Sequence, residues 1–404
     1  MAHVEAEQRR AFRRGVLLPS LLLLGAMVNL TLIVAGLKEL ILDQLGGTTR
    51  DAGLFFSVEM LAYVLFAPVA GLLSDRLGRR RPLIVIGFLA SGIFYAAFTQ
   101  VTAIGWLLAL RFVQGAASVL AWSTLMALVV DYPDEQRRGR NMGLMGAALI
   151  LGVSLGAPLG GLLSSRLGVL APLWAAAGLF VLLGLASLVL PEPEVRQREI
   201  SWRQILGTLQ QRPRLLLPYL FHFVDRYTVG FFIIIFPLYL ASLGTDDPAR
   251  RGQYLALFLL PFAALQYFTG RLSERLGPYP PLLAGSLLYG LVLCAVGYSN
   301  LAALWPVMAL LGVLAALMFP PNILLTAQLS DPLTRGSAMG GFNLAGSLGF
   351  AAGPLVGAWA YEARGYGFAF IVAGALEVLI VLLACILLRR WARLEASTQA
   401  ENRT

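Results

Sequence analysis

The chain has 404 residues, of which 58% are hydrophobic and 13% charged, against roughly a quarter charged in a soluble domain. So little polar surface cannot clothe a water-soluble protein, and lipid is the expected solvent for most of the chain. The net charge of +9 rests on thirty arginines and one lysine, grouped in short clusters between apolar runs, a membrane-topology pattern that argues against a nucleic-acid face.

Runs long enough to cross a bilayer occur at 17–37, 53–74, 82–100, 104–129, 141–163 and 171–190, and again at 215–240, 253–271, 280–299, 302–325, 338–360 and 367–388. Backbone groups in hydrocarbon must bond within their own segment, so each run is a helix. The expected fold is an all-α membrane protein with twelve transmembrane helices in two pseudo-symmetric six-helix bundles. The first run follows Arg9, Arg10, Arg13 and Arg14 but is longer than a signal peptide's apolar region, so a retained first helix is expected.

The pseudo-symmetry is read from repeats. Gly71 opens GLLSDRLGRRRP, and Gly270 opens GRLSERLG, 199 residues later. Gly143, Gly152, Gly156 and Gly160 are answered by Gly340, Gly349, Gly353 and Gly357, each 197 residues later. Two patterns at nearly one offset indicate tandem duplication. The boundaries follow: residues 1–190 form an N-terminal bundle, 191–214 a cytoplasmic linker, and 215–404 a C-terminal bundle with a short tail. The linker interleaves Ile200, Trp202, Ile205 and Leu206 with arginines, which fits a surface helix at the inner face or a plain tether.

With the N-terminus inside, 23 arginines fall on inner segments, among them Arg76, Arg79, Arg80, Arg81, Arg137, Arg196, Arg198 and Arg403. Lys38, Arg50, Arg166, Arg250, Arg251 and Arg364 fall outside. This bias sets both termini in the cytoplasm.

Six plus six helices, with a glycine-acid-basic loop between the second and third, resemble the major facilitator superfamily, in particular its bacterial proton-coupled drug and solute efflux branch. The residues that carry the resemblance are Gly71, Asp75, Arg76, Gly78, Arg79 and Arg80. It implies a conformational latch, with Asp75 facing the N-terminal end of the eleventh helix near Gly336 to Gly340 and with Asp131 as a partner for the basic residues, Arg81 among them. In the fifth span, Gly152, Gly156 and Pro158 resemble the pattern called the antiporter motif. The eleventh span carries Gly349, Gly353 and Pro354. Small residues at this spacing also pack helices closely in any membrane bundle. Arg111, Gln114 and Gly115 in RFVQG resemble a further motif of proton-coupled antiporters. Asn29 stands where many of those carry an acid, so the proton carrier must lie elsewhere.

Charged groups at bilayer depth are costly and mark sites. The proton-coupling candidates are Asp225, Glu59, His222 and Arg111. Glu59 and Arg111 lie at equal depth, where they can pair as a structural bridge or a coupling pair. His222 and Asp225 are three apart and share a helix face, whereas Arg226 follows Asp225 and is expected to point about 100° away. Substrate-cavity candidates are Asn29, Gln114, Tyr219, Tyr227, Arg226, Gln266, Asn322, Asn343 and Glu377, a polar and aromatic mix suited to an amphipathic molecule.

The expected function is export of a hydrophobic or amphipathic organic solute by proton antiport with alternating access. The alternatives are a symporter or uniporter for an organic anion or other metabolite, which Arg111 and Arg226 favour, or a lipid transporter of the same fold. No nucleophile with its base, metal spacing or nucleotide loop argues for an enzyme. No cofactor or metal is expected, only protons as the coupling ion. The expected partners are a small-molecule substrate and membrane lipids, with no nucleic acid, for a monomer in the bacterial cytoplasmic (inner) membrane.

Overall fold

A computed structural model describes residues 13–131, 138–192, 202–331 and 334–401. Arg9, Arg10, Arg137, Arg196, Arg198, Ile200 and Arg403 lie outside the described residues. The described chain is helical, and ten of its helices are long and apolar enough to cross a membrane.

In the first half the spans are Arg14–Gly36, Thr49–Leu77, Arg81–Phe98, Ile104–Asp131 and Arg138–Leu167. The sixth is the shorter apolar helix Ala171–Ser187. Linker helix Trp202–Gln211 follows. The second half holds Leu216–Ser242, Pro248–Leu276 and Tyr279–Val296. The tenth pass is broken into Leu301–Ala316 and Phe319–Leu329. The final run, Arg335–Glu401, contains two passes, because Arg364 and Gly365 leave helical geometry between them. With Ala171–Ser187 taken as the sixth crossing, the described residues hold six passes in each half.

Local chemistry fixes the helix ends. Thr48 and Asp51 form a reciprocal capping box at the start of the second span, and Asp247 and Asn300 cap the eighth and tenth. Gly78 ends the second span in the left-handed region at φ 61°, which lets the chain turn sharply into Arg81.

The glycine repeats are close-packing faces. A methyl group at Gly152, Gly156 or Gly160 would collide with the carbonyl oxygen of Leu24, Val28 or Leu32 on the first span. In the second half, Gly349 and Gly353 meet the carbonyl oxygens of Phe223 and Tyr227, and Gly357 meets the side chains of Phe231 and Ile235. Leu24, Val28 and Leu32 are themselves answered 199 residues later by Phe223, Tyr227 and Phe231. The duplication is thus written in pairs of contacts, and these glycines bind the fifth and eleventh spans inside their own halves.

Other faces of those spans join the halves, all toward one side of the molecule. Gly53 meets the Pro354 carbonyl, Gly161 the Pro248 carbonyl and Gly252 the Ala157 carbonyl. Phe56 stacks on Phe350 at 5.4 Å, and the Ser154 hydroxyl donates to the Leu259 carbonyl at 3.0 Å. On the side that carries the Gly71–Pro82 loop, Gly71, Gly143 and Gly146 meet nothing. Leu65, Val69, Leu72, Tyr267, Phe268 and Leu276 are exposed there. The protein is sealed on one face and parted on the loop face.

Candidate functional site

The first buried cluster is built on Arg111 of the fourth span, which is 0% exposed. Its Nη2 donates to Glu59 Oε2 at 2.5 Å, and its Nη1 to the Tyr95 hydroxyl at 2.8 Å and Gln114 Oε1 at 2.9 Å. The guanidinium lies 4.4 Å from the Phe55 ring centroid. Tyr63 donates to Glu59 Oε1 at 3.1 Å, and Tyr95 to the Asn29 carbonyl at 3.3 Å. Equal depth in the sequence therefore gives a pair in the structure, but one shut away from the parted face. Gln114 and Asn29, expected in the cavity, are buried with this cluster.

In the second cluster the expected divergence of Asp225 and Arg226 is corrected. Arg226 folds back along its helix and donates to Asp225 Oδ2 from Nε at 2.9 Å and Nη2 at 2.7 Å. The Cβ vectors do diverge, but the long arginine stem spans the gap. His222 Nδ1 lies 3.7 Å from the same oxygen, and its ring stacks on Phe342 at 3.8 Å. Arg226 sits 4.9 Å over Phe319 and is the most open member of the group, with 17% of its side chain exposed.

Glu377 is also corrected. It is 0% exposed and faces no cavity. Its carboxyl is held between Thr228 of the seventh span, at 3.2 Å, and Ser286 of the ninth.

The remaining cavity candidates divide. Asn322 donates to the Pro218 carbonyl at 3.2 Å and Tyr219 to the Ala338 carbonyl at 2.7 Å, so both are buried ties between helices. Tyr227 is buried as well. Gln266 is half-buried and bonds to the Phe262 carbonyl of its own helix, while Asn343 is exposed. Arg226, Gln266 and Asn343 are the polar groups of the expected set that are not fully buried.

At the loop, Arg80 is the hub. It pairs with Asp75 at 2.9 Å and Asp131 at 2.7 Å, and donates to the Ser74 hydroxyl. Of the basic residues expected to partner Asp131, Arg80 thus does so, while Arg81 reaches Glu192 at 3.6 Å and the Leu188 carbonyl. Arg76 and Arg79 are exposed. The Asp75 ion pair thus lies within the first half, and the start of the eleventh span at Arg335 and Gly336 is exposed.

The seal holds a buried arginine that the sequence reading took for a topology signal. Arg251, 0% exposed at the start of the eighth span, crosses to the first half. There it donates to the Ala35 carbonyl at 3.0 Å and pairs with Glu39. A basic residue in the first turn of a helix, where it opposes the dipole, was the signal available for it.

A ring of helices parted on one face, with buried ion pairs in both halves, is the geometry of a carrier. The sequence profile of the Major Facilitator Superfamily matches residues 20–246 and 218–403. The chain belongs to the Major Facilitator Superfamily. Among relatives, it is 27% identical to the magnetosome protein MamH of Paramagnetospirillum magneticum, over 91% of each chain. It is 28% identical to the class C tetracycline resistance protein of Escherichia coli, over 88% of this chain and 93% of that one. In fold it resembles a bacterial homologue of the human lysosomal transporter Spinster, solved inward-facing and occupied. The TM-score is 0.81 at 13% identity, covering 92% of this chain and 96% of that one. As a superfamily member, the protein is a multi-pass membrane transporter and not an enzyme.

Proposed function

We propose that the protein exports a hydrophobic or amphipathic organic solute by proton antiport, alternating between the parted state seen here and one open on the sealed face. The observation that carries this reading is the second cluster: Asp225 is clamped by Arg226, and Arg226 is the member that opens toward the parted face. A solute arriving beside Arg226 can disturb that pair and so change which acid holds a proton. The flanking surface of His222, Phe342 and Phe319 is aromatic, which suits a flat apolar body better than a sugar. Similarity to a tetracycline resistance protein agrees with export.

In this reading the membrane is the bacterial cytoplasmic one and both termini lie inside, so the parted face is cytoplasmic. The bundles 1–190 and 215–404 rock about the site as a monomer. Asp75 reaches the eleventh span when the loop face closes. The Arg226 guanidinium also supports a second reading, transport of an organic anion.

The test is proton release from the purified protein in weakly buffered detergent. Tetracycline, tetraphenylphosphonium, benzoate and a lysolipid are added in turn. Release on adding tetracycline or tetraphenylphosphonium is expected. Saturable benzoate binding with no proton release by any compound would replace the antiport reading with the anion one.

A further inference from the structure

Four carboxyl groups are buried in the described spans, and they are not equivalent: Asp131 is paired with Arg80 at the loop. Glu59 has Arg111 against it, and Asp225 has Arg226 and His222. Glu377 makes no ion pair among the described residues. Its neighbours come from two other helices, and each supplies a hydroxyl: Ser286, 0% exposed on the ninth span, and Thr228, 0% exposed on the seventh.

The hydrogens in this cluster can be counted. Ser286 Oγ contacts Glu377 Oε2, and its one hydrogen serves that contact. Thr228 Oγ1 also carries one hydrogen, yet two oxygens lie within bonding distance: the Asp225 carbonyl at 2.9 Å and Glu377 Oε1 at 3.2 Å. A hydroxyl donates once and accepts twice. If Thr228 donates to the Asp225 carbonyl, the contact with Oε1 needs a hydrogen from Glu377. A carboxylic acid at Glu377 gives every contact its own hydrogen: Ser286 to Oε2, Oε1 to Thr228, and Thr228 to the Asp225 carbonyl. A carboxylate leaves one of these contacts without a hydrogen.

From these contacts we infer that Glu377 is a proton-binding site, the group of the second half that carries an exchangeable proton while the loop face is parted. The inference rests on the antiport reading and names its coupling residue. The titratable and charged groups facing Glu377 are Asp225, with Arg226 bound to it and His222 3.7 Å from it, from the seventh span and Tyr289 from the ninth. Because Asp225 and Arg226 cancel each other, a protonated Glu377 makes the whole cluster neutral. Thr228 joins the two parts, since it is held both to the backbone of Asp225 and to the Glu377 carboxyl. A movement of the seventh span that follows disturbance of the Asp225–Arg226 pair therefore pulls Thr228 from Glu377 and admits water. The acid O–H bond then breaks, the proton passes to that water, and the carboxylate left behind is solvated by it.

Infrared spectroscopy of the full chain in lipid vesicles tests the assignment. The expected spectrum contains the carbonyl stretch of a protonated carboxylic acid at neutral pH. Glu377→Gln should lose that band. Thr228→Val, which removes the acceptor while keeping size, should shift its frequency, so the assignment remains testable if Glu377→Gln fails to fold. A band unchanged in both variants, or no such band in the parent, overturns the proposal. The transport arm uses tetraphenylphosphonium in the same vesicles. Accumulation driven by a pH gradient should be lost in Glu377→Gln while exchange of labelled for unlabelled probe is kept. Retained gradient-driven accumulation overturns the coupling role even where the band is lost. If the parent itself moves no probe and releases no protons, the antiport reading fails on its own, and the infrared bands still decide whether Glu377 holds a proton.

Discussion

The two halves share a backbone plan and differ in where they keep charge. At the 199-residue offset Glu59 is answered by Phe258, and Asp225 answers Ala26. At the 197-residue offset, which also relates the left-handed turns at Gly168 and Gly365, Glu377 answers Phe180. Each of these three buried acids therefore answers an apolar residue at the matching place in the other half. Close packing was inherited by both copies because it depends on glycine spacing and carbonyl contact, whereas the chemistry was placed once. The first half surrounds its ion pair with Tyr95, Gln114 and Phe55, and the second leaves one acid without a cation, among the described residues, beside a pair that opens toward solvent. A pair enclosed within its own half holds structure, and a set that opens toward solvent can change state.

The sharpest way to break this contrast is to open the first cluster. Arg111→Met leaves the Glu59 carboxyl without its cation and should cost about 3–5 kcal/mol of stability. Glu59→Gln with Arg111→Met should recover most of it. Thermal unfolding in detergent measures both, and a single variant as stable as the parent would mean that the first cluster is not structural. In the second half, Asp225→Asn strips Arg226 of its partner. We expect it to abolish exchange as well as gradient-driven transport, unlike Glu377→Gln, and counterflow assays separate the two outcomes.

A smaller effect belongs to Arg251, which serves neither half alone. Arg251→Gln removes a charge-assisted bond across the seal, about 1.5–3 kcal/mol in general, and should shift the population toward the open sealed face by about tenfold or more. Spin labels at exposed Leu167 and Arg250 would report a longer distance. An unchanged distance distribution would remove Arg251 from the gate.

The smallest effect concerns Asp247, at the start of the eighth span on the same face. Burial pushes its pKa up, but hydrogen bonds from Ser165 and the Ala249 N–H, with Arg250 and Arg251 nearby, hold it below the usual carboxylate range. A lowered value means that its contribution to closure is complete above the ordinary carboxylate pKa of about 3.9 and is lost as the pH falls through the lowered value. Closure should therefore be flat across neutral pH and weaken only in acid. Asp247→Asn should flatten that acid limb in the same distance measurement.

The passes and their pairing within each half were legible because hydropathy and glycine spacing act along one helix at a time. Glu59 and Arg111 were legible because depth counted from helix ends is a one-dimensional quantity. The rest depends on side-chain reach and on turns. Among the basic residues expected to partner Asp131, Arg80 is the one that does so, because the left-handed Gly78 ends one helix and Arg81 begins the next. Arg226 bends to its neighbour because its stem is long and Asp225 offers a buried oxygen. Thr228 and Ser286 carry no signal in the sequence that they meet Glu377, since three separate helices must assemble before those hydroxyls become its hydrogen-bond partners.

The break in the tenth pass gives the molecule a joint. An unbroken helix behaves as a stiff rod, so tilting one end swings the other. Here Leu317 and Met318 separate two shorter rods, and the lower one, Phe319–Leu329, begins with the ring that lies over Arg226 and 5.7 Å from His222. Eleven residues make a lever of roughly 16 Å. Its pivot sits at the charged pair and its free end at the loop face. A load applied at that end turns Phe319 on the pair while the upper rod stays seated, so the hinge converts leverage at the mouth into torque at the binding level.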